Sequence, residues 1–495
     1  MQIVTFGTGK RRPETGRRAC PRAGFLVPLL LTLAVVASAA DPVGLALRKD
    51  AAVAVSPVEL PGNVERETLE KKIIQGPTQA DLSAYGYLSS PMIQAARARW
   101  RGTAEKYRID TAWNNPEIMI EGMRMVGSGS MAPTATGPDG MPVAGSQDST
   151  PKNDWTVRLT QGIPLPGKLG RAGDIVQSDA RIARLGLDAA VRDVVLGIRE
   201  SYQELLYIGE ARRIATRNRE LLDQLRKVGE GAYAANRAAL VDVMKAQAQS
   251  GQLLYDALLL EELERTEKTR MNGLLDRPAD AAIGPLADLP VRPVVYALPE
   301  IQAFAEANLE EVKIAQAGVE KAQSMLSLTR YENLPEFNLG ASYGTDRGDR
   351  QVGVQVGVML PIWLGKNAGR TASARADVET MQSMKRAQVN ETRTMVQEGW
   401  FRMRNAERLV KLYRDDLLPQ AERAIESAET LYKQGQGAFS DYIETQSTFY
   451  GFQLSLARAK ADYGKFQARL EKLAGKGLTE REPSTAPQAG KEVAR

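Results

Sequence analysis

The 495-residue chain is written twice. GAYAANRAALVDVMKAQ (231–247) resembles TLYKQGQGAFSDYIETQ (430–446), and LTQGIPLPGKLGR (159–171) resembles GVMLPIWLGKNAGR (357–370). NPEIMIEGM (115–123) resembles LPEFNLGAS (334–342). Arg171 pairs with Arg370, Tyr233 with Tyr432, Asp242 with Asp441 and Gln247 with Gln446, and each pair is 199 residues apart. An internal repeat decides a fold before any local propensity does.

Each copy has the same order of expected elements. A helix (about 91–111, then 298–329) leads to a strand (117–125, then 336–344) and a second strand (154–163, then 351–360). A Pro/Gly break precedes a very long helix (about 171–232, then 370–434), a tip turn (233–242, then 432–441) and a return helix (240–274, then 438–473). From the arginine after the strands to the aspartate past the turn is 71 residues in both copies, so both helices turn back at one level. Some 60 helical residues reach roughly 90 Å, beyond an ordinary globular domain. Such helices must pack on each other and on copies of themselves, and their alanine-rich, charge-laced composition suits coiled-coil packing.

The first repeat is assigned to 91–275, a proline-rich linker to 276–297 and the second repeat to 298–474. Residues 1–39 read as a cleaved signal peptide: six bases against Glu14, then FLVPLLLTLAVVA (25–37) and the small-residue ending ASAA. Cys20 precedes the apolar run, so no lipid anchor is expected. Residues 40–90 form an N-terminal extension of weak periodicity, and 475–495 read as a disordered polar tail.

The chain's net charge of +5 equals the charge of the leader, so the mature chain is formally neutral and offers nucleic acid no basic footprint. Its one cysteine leaves with the leader and it has no histidine, which removes the usual residues of zinc sites, disulfides and general-base catalysis. No cofactor is expected, and no catalytic constellation stands out. No later apolar run is long enough for a spanning helix, so any membrane span must be a β-barrel.

The strands alternate. Val352, Val354, Val356 and Val358 face away from Gln351, Gly353, Gln355 and Gly357. Phe337, Leu339, Ala341 and Tyr343 oppose Asn338, Gly340, Ser342 and Gly344; Trp155, Val157, Leu159 and Ile163 oppose Thr156, Arg158 and Thr160. Ile118 and Ile120 do the same less cleanly. A half-buried sheet would also alternate. Here, however, the helices that follow leave the strand layer altogether, so lipid on one face and water on the other fits better. Trp155, Trp363 and Tyr343 suit interfacial anchors. Four strands cannot close a barrel, so several chains must contribute.

At this point the chain resembles the TolC outer-membrane efflux family over about residues 90–474. The resemblance is carried by the duplicated strand–strand–helix–turn–helix unit, the N-P-E and L-P-E strand starts, and the turns NRAALVDVMKAQ and GQGAFSDYIETQ. It implies a mainly α fold with a transmembrane β-barrel portion. Four strands per chain would share a twelve-stranded barrel in a homotrimer, set in outer-membrane lipid above a long α-helical periplasmic tunnel. It also implies a periplasmic adaptor and an inner-membrane pump as partners. QGIPLPGKLGR and LPIWLGKNAGR are similar to the heavy-metal (Czc/Cus-type) branch, whose members are often lipid-anchored, as this chain is not expected to be.

The resemblance places a gate at Asp242, Asp441 and Glu444, nine carboxylates in a trimer, with Lys245 at the first-copy counterpart of Glu444. The same residues suit capping, with Asp441-x-x-Glu444 as a capping box and Asp242 as an N-cap. Tyr233, Tyr432, Gly435 and Gly437 mark the tip turns and adaptor docking. Met119, Met123 and Met125, with Met131 and Met141 beyond, are weak candidates for soft metals, since methionine is more often packing filler. The expected function is a passive exit duct of a tripartite efflux system for heavy-metal cations. Alternatives are the same duct for drugs or secreted polypeptides, and a soluble periplasmic coiled-coil adaptor.

Overall fold

The long helices arise where proline is absent and opposite charges recur one turn apart. In the computed structural model, which describes residues 66–124, 153–234, 239–346, 349–434 and 436–481, the chain order is α1 (Arg66–Gln75), α2 (Gln79–Ser89), α3 (Pro91–Asp110), β1 (Glu117–Arg124), β2 (Asn153–Ile163), α4 (Lys168–Ala234) and α5 (Leu240–Leu274). The second unit follows with α6 (Leu298–Asn308), α7 (Glu310–Glu332), β3 (Glu336–Asp346), β4 (Asp349–Met359), α8 (Leu364–Lys411), a π-helical turn (Leu412–Leu417), α9 (Leu418–Lys433) and α10 (Phe439–Ala474). α4 runs 67 residues without a break. Pairs such as Arg213–Glu210 and Arg226–Glu230, both at 2.6 Å, lace its surface. Before it, Gly167 takes φ +90 beneath the Tyr331 ring, a conformation that suits glycine and turns the chain from strand to helix. α10 ends on left-handed Gly475, φ 74.

The strands form one antiparallel sheet in the order β1-β2-β3-β4, with β1 and β4 at its edges. Two hydrophobic clusters lie far from it. One packs α1, α2 and α3 against the upper part of α4 and the end of α5, around Leu82, Tyr85, Ile198, Tyr202 and Leu275. The other packs α6 against α8 and α10, around Ile301, Val396, Met403, Tyr463 and Leu470. Each such side chain contributes about 1.5–3 kcal/mol on burial.

The duplication survives in detail. Ser89, at the end of α2, donates to the Leu275 carbonyl at 2.9 Å; Asn308, at the end of α6, donates to the Ala474 carbonyl at 3.1 Å. The donors are 219 residues apart and the acceptors 199, and the longer loop between β1 and β2 absorbs the difference.

The structure departs from the sequence expectations in three places. The extension expected over 40–90 contains α1 and α2, and α2 buries most of its residues. The single helix expected over 298–329 breaks at Leu309, which is extended (ψ 129) and 1% exposed. Part of the tail expected to be disordered belongs to the core: Leu478 is fully buried, and its carbonyl accepts from Val295 N–H at 3.1 Å. The linker over 276–297 is clasped by Tyr202 and Tyr463, whose hydroxyls donate to the Ala287 and Arg292 carbonyls at 2.7 Å each. The leader and residues 482–495 lie outside the described residues.

Candidate functional site

The register assembles the alternating residues into two continuous faces. Ile120, Val157, Tyr343 and Val352 form one row across the four strands; Ile118, Leu159, Ala341 and Val354 form the next. Ile163, Phe337 and Val358 form a third, and Leu339 with Val356 a fourth. Residues directly opposite share a face, so the designated residues Trp155, Val157, Leu159, Phe337, Leu339, Val352, Val354, Val356 and Val358 all lie on one side. None of the described residues covers that side: Val354 is 79% exposed, Ile120 74% and Val352 73%. Trp155 and Tyr343 meet edge to face at 5.6 Å near one end of the apolar band. Trp363, 72% exposed, caps α8 near the other end, where Phe337 also sits.

The opposite face is small and polar. A side chain at Gly353 would press on Ser342 Oγ, and one at Gly357 would collide with Asn338 Oδ1. The glycines let the β3–β4 hairpin lay these short polar groups across the sheet. The β1–β2 hairpin instead carries Arg158 and Glu121, 3.6 Å apart, and Met119, 41% exposed. Met123 lies in β1, and Met125, Met131 and Met141 lie outside the described residues. Among the described residues, no group of three His, Cys, Asp or Glu side chains is placed to hold a metal ion.

At the far end of the helices, Phe439 is 2% exposed, held among Ala246, Ile443, Leu225 and Tyr432, with its ring 5.1 Å from that of Tyr432. Its first-copy counterpart Leu240 is 50% exposed, and Met244, counterpart of buried Ile443, is 56% exposed. Tyr233 is exposed where Tyr432 is half-buried. Gln446 is buried and donates to Asn218 Oδ1 at 2.6 Å, while Gln247 is exposed. Sequence reasoning missed Phe439 and Asn218; the one trace was an aromatic in the second turn where the first has leucine.

The residues expected at the gate fall at equal positions. Asp242 and Asp441 are each the third residue of their return helix, α5 and α10. Asp441, Glu444 and Lys245 are exposed. The capping expectation is corrected: the N-caps are Ala239 and Ala438, and neither makes a side-chain cap. The turn closes one step earlier, so the aspartates sit inside the first turn, where the helix dipole favours negative charge. Gly437 N–H donates to the Leu431 carbonyl at 3.1 Å, and Gly435 lies outside the described residues.

α4 and α10 meet along a seam whose chemistry changes along its length. Nearer the sheet, Asp193–Lys472, Arg199–Glu471, Glu200–Arg469 and Glu204–Lys465 cross it as ion pairs, with Arg458 also on Glu204 at 3.0 Å. Burial disfavours the charged form of Glu204, yet its Lys465 and Arg458 contacts outweigh that and hold the carboxyl below its ordinary range. Toward the tip the seam is crossed by the amides of Asn218, Gln446 and Gln453.

Comparison with known proteins agrees with this geometry. Residues 304–476 match the model of the outer membrane efflux protein family. Nodulation protein T of Rhizobium leguminosarum bv. trifolii is 23% identical over 68% of this chain and 75% of its own length. Pyoverdine export outer membrane protein OpmQ of Pseudomonas aeruginosa is 23% identical over 65% and 72%. The outer membrane protein VceC of Vibrio cholerae has the same fold, with a TM-score of 0.66 at 16% identity over 81% of this chain and 96% of that one. Residues 304–476 are thus similar to outer membrane efflux proteins, and the chain has the TolC-like fold of VceC.

Proposed function

We propose that three copies of this chain close a twelve-stranded barrel in outer-membrane lipid and continue as one helical tunnel across the periplasm. The duct would be the last component of a tripartite efflux system, fed by an inner-membrane pump through a periplasmic adaptor. The carrying observation is the sheet itself, open at β1 and β4, apolar and uncovered on one face, polar and glycine-rich on the other. A four-stranded sheet of this kind satisfies its edges and its apolar face only by joining further strands within lipid. A cleaved leader without a lipid anchor delivers the chain there.

The tip is the gate. Asp242, Asp441 and Glu444 from three copies gather around the axis, and their mutual repulsion favours opening. Lys245 offsets part of that field. Tyr233, Tyr432, Gly435 and Gly437 form the adaptor's docking rim.

The cargo is proposed to be heavy-metal cations, on the strength of QGIPLPGKLGR and LPIWLGKNAGR. A second reading, small organic molecules, is favoured by the name of the pyoverdine-exporting relative. A strain lacking the gene, challenged with Cu, Ag, Zn, Co, Cd and Ni salts beside dyes and detergents, separates the two. Metal sensitivity restored by the intact gene is the expected result. Sensitivity to organic compounds with normal metal tolerance keeps the duct and overturns the cargo.

A further inference from the structure

The linker between the repeats shows what one side of the α4–α10 seam can hold. Over 281–295 it has neither helix nor strand. It crosses the seam where the Tyr202 and Tyr463 hydroxyls donate to the Ala287 and Arg292 carbonyls. Tyr202 belongs to the cluster that packs α1, α2 and α3, and Tyr463 to the cluster that packs α6. This side of the seam therefore carries the short helices.

Toward the tip, a groove of about 690 Å³ opens between α4, α10 and the start of α9. It continues the linker's path. Gly209 and Thr216 follow Tyr202 at intervals of seven on α4, with Arg213 and Glu220 four residues after each. Leu456 precedes Tyr463 by seven on α10, with Lys460 between them. Residues at this spacing share a face of packed helices. Leu418 and Leu456 give the groove an apolar wall.

Its charge differs from that of the seam nearer the sheet, where acids and bases pair across the helices. Here four bases, Arg212, Arg213, Arg217 and Lys460, stand against two acids, Glu210 and Glu220. Arg212 turns away to Glu264 at 3.0 Å, and Arg213 holds Glu210 at 2.6 Å. Arg217, Lys460 and Glu220 are exposed and have no ion pair or hydrogen bond among the described residues. Two such cations suit carboxylates, and the acid beside them suits an amine.

We propose that this groove binds the stem peptides of the cell-wall peptidoglycan, with Arg217 and Lys460 on peptide carboxylates and Glu220 on the amine of the diamino acid. This rests on the duct reading and adds a partner on the outside of the duct. A stem peptide is short, extended and doubly carboxylated, and the same channel already holds non-helical chain by its carbonyls. The side bearing the short helices is the bulkier one, so a closed tube turns it outward. Arg213 lies 45 residues along α4, roughly 68 Å from the sheet. Three copies set the groove three times around the shaft at that level. A shaft crossing the periplasm passes through the peptidoglycan mesh, which meets it on every side.

The test sediments the full-length protein, purified in mild detergent, with isolated peptidoglycan sacculi. The expected result is co-sedimentation that soluble stem peptide displaces. Arg217→Glu with Lys460→Glu should lower the bound fraction at least about tenfold. Arg101→Glu with Lys106→Glu, an equal charge change at exposed positions of α3, should leave it unchanged. Glu220→Gln should weaken binding to native sacculi and not to sacculi whose amines are acetylated. Protein that stays in the supernatant, or equal losses in the two double variants, overturns the proposal. Displacement by polyglutamate but not by stem peptide also overturns it and makes an acidic protein segment the occupant. The size of the solubilised protein reads the duct separately: a monomer overturns the duct reading, whereas a trimer that ignores sacculi overturns the groove's assignment alone.

Discussion

The two copies of the repeat reach the tip with the same backbone and opposite exposures. In the second copy, Phe439 and Ile443 are buried against the first copy's helices. In the first, Leu240 and Met244 occupy the same positions and face outward. The two hairpins differ as well: the second's polar face carries glycine, serine, asparagine and glutamine, while the first carries Arg158 and Glu121. A duplicated unit gives each copy the same shape. Its copies diverge where one is covered by its own chain and the other is left for something outside it.

The largest expected effect separates the two faces of the sheet. Val354→Arg puts a charge where the apolar face meets lipid, at a cost of about 2–4 kcal/mol in each copy, so outer-membrane trimer should be lost. Gln355→Arg, one residue on and pointing the other way, should leave the trimer in place. Immunoblots of outer-membrane fractions decide this, and equal loss in both variants breaks the distinction between the faces.

The next contrast lies at the tip. Phe439→Ala empties a packed position and should cost about 3–5 kcal/mol locally. Leu240→Ala, at the matching exposed position, should change stability by less than about 1 kcal/mol. Limited proteolysis of the tip reads both; equal effects would mean that the two turns are equivalent after all. Asp242→Ala with Asp441→Ala should raise single-channel conductance in planar bilayers. Unchanged conductance would remove the gate from these two residues.

The smallest expected effect is one of pH. Glu204 is held below the ordinary carboxylate range, so its contribution is complete above that range and is lost as pH falls through it toward the lowered value. The α4–α10 seam should loosen in that acid window, and Glu204→Gln should flatten the dependence there. Glu310 acts in the opposite direction. Burial raises its carboxyl despite Arg192 at 2.8 Å, so its charge costs stability at neutral pH and the cost is relieved as pH falls through its raised value. Hydrogen exchange along α10 at neutral and acid pH measures the balance.

Much of this was legible in the sequence, for reasons that can be named. The long helices and the level of their turns followed from four residue pairs at one offset, because two units of equal length between the strands and the turn reach the same level. The apolar face of the sheet followed from strict alternation in QVGVQVGVM, a period only a strand uses. α2 escaped because QADLSAYGYLS is buried nearly all round and therefore has no amphipathic period to read. Leu309 escaped because a single extended residue between two helices leaves no proline or glycine behind. The aspartates were misread as caps because alanine, which offers no side-chain acceptor, took the N-cap position in both copies.

The central claim, lipid on one face of the sheet and water on the other, is open to one direct measurement. Nitroxide labels placed singly from Gln351 to Val358, with Cys20 replaced by serine, are read for collision with oxygen and with a water-soluble nickel chelate in reconstituted membranes. The expected result is alternation with period two and opposite phase: oxygen highest at Val352, Val354, Val356 and Val358, the chelate highest at Gln351, Gly353, Gln355 and Gly357. If oxygen and chelate accessibility rise and fall together along the strand, the apolar face does not meet lipid, and the barrel does not exist.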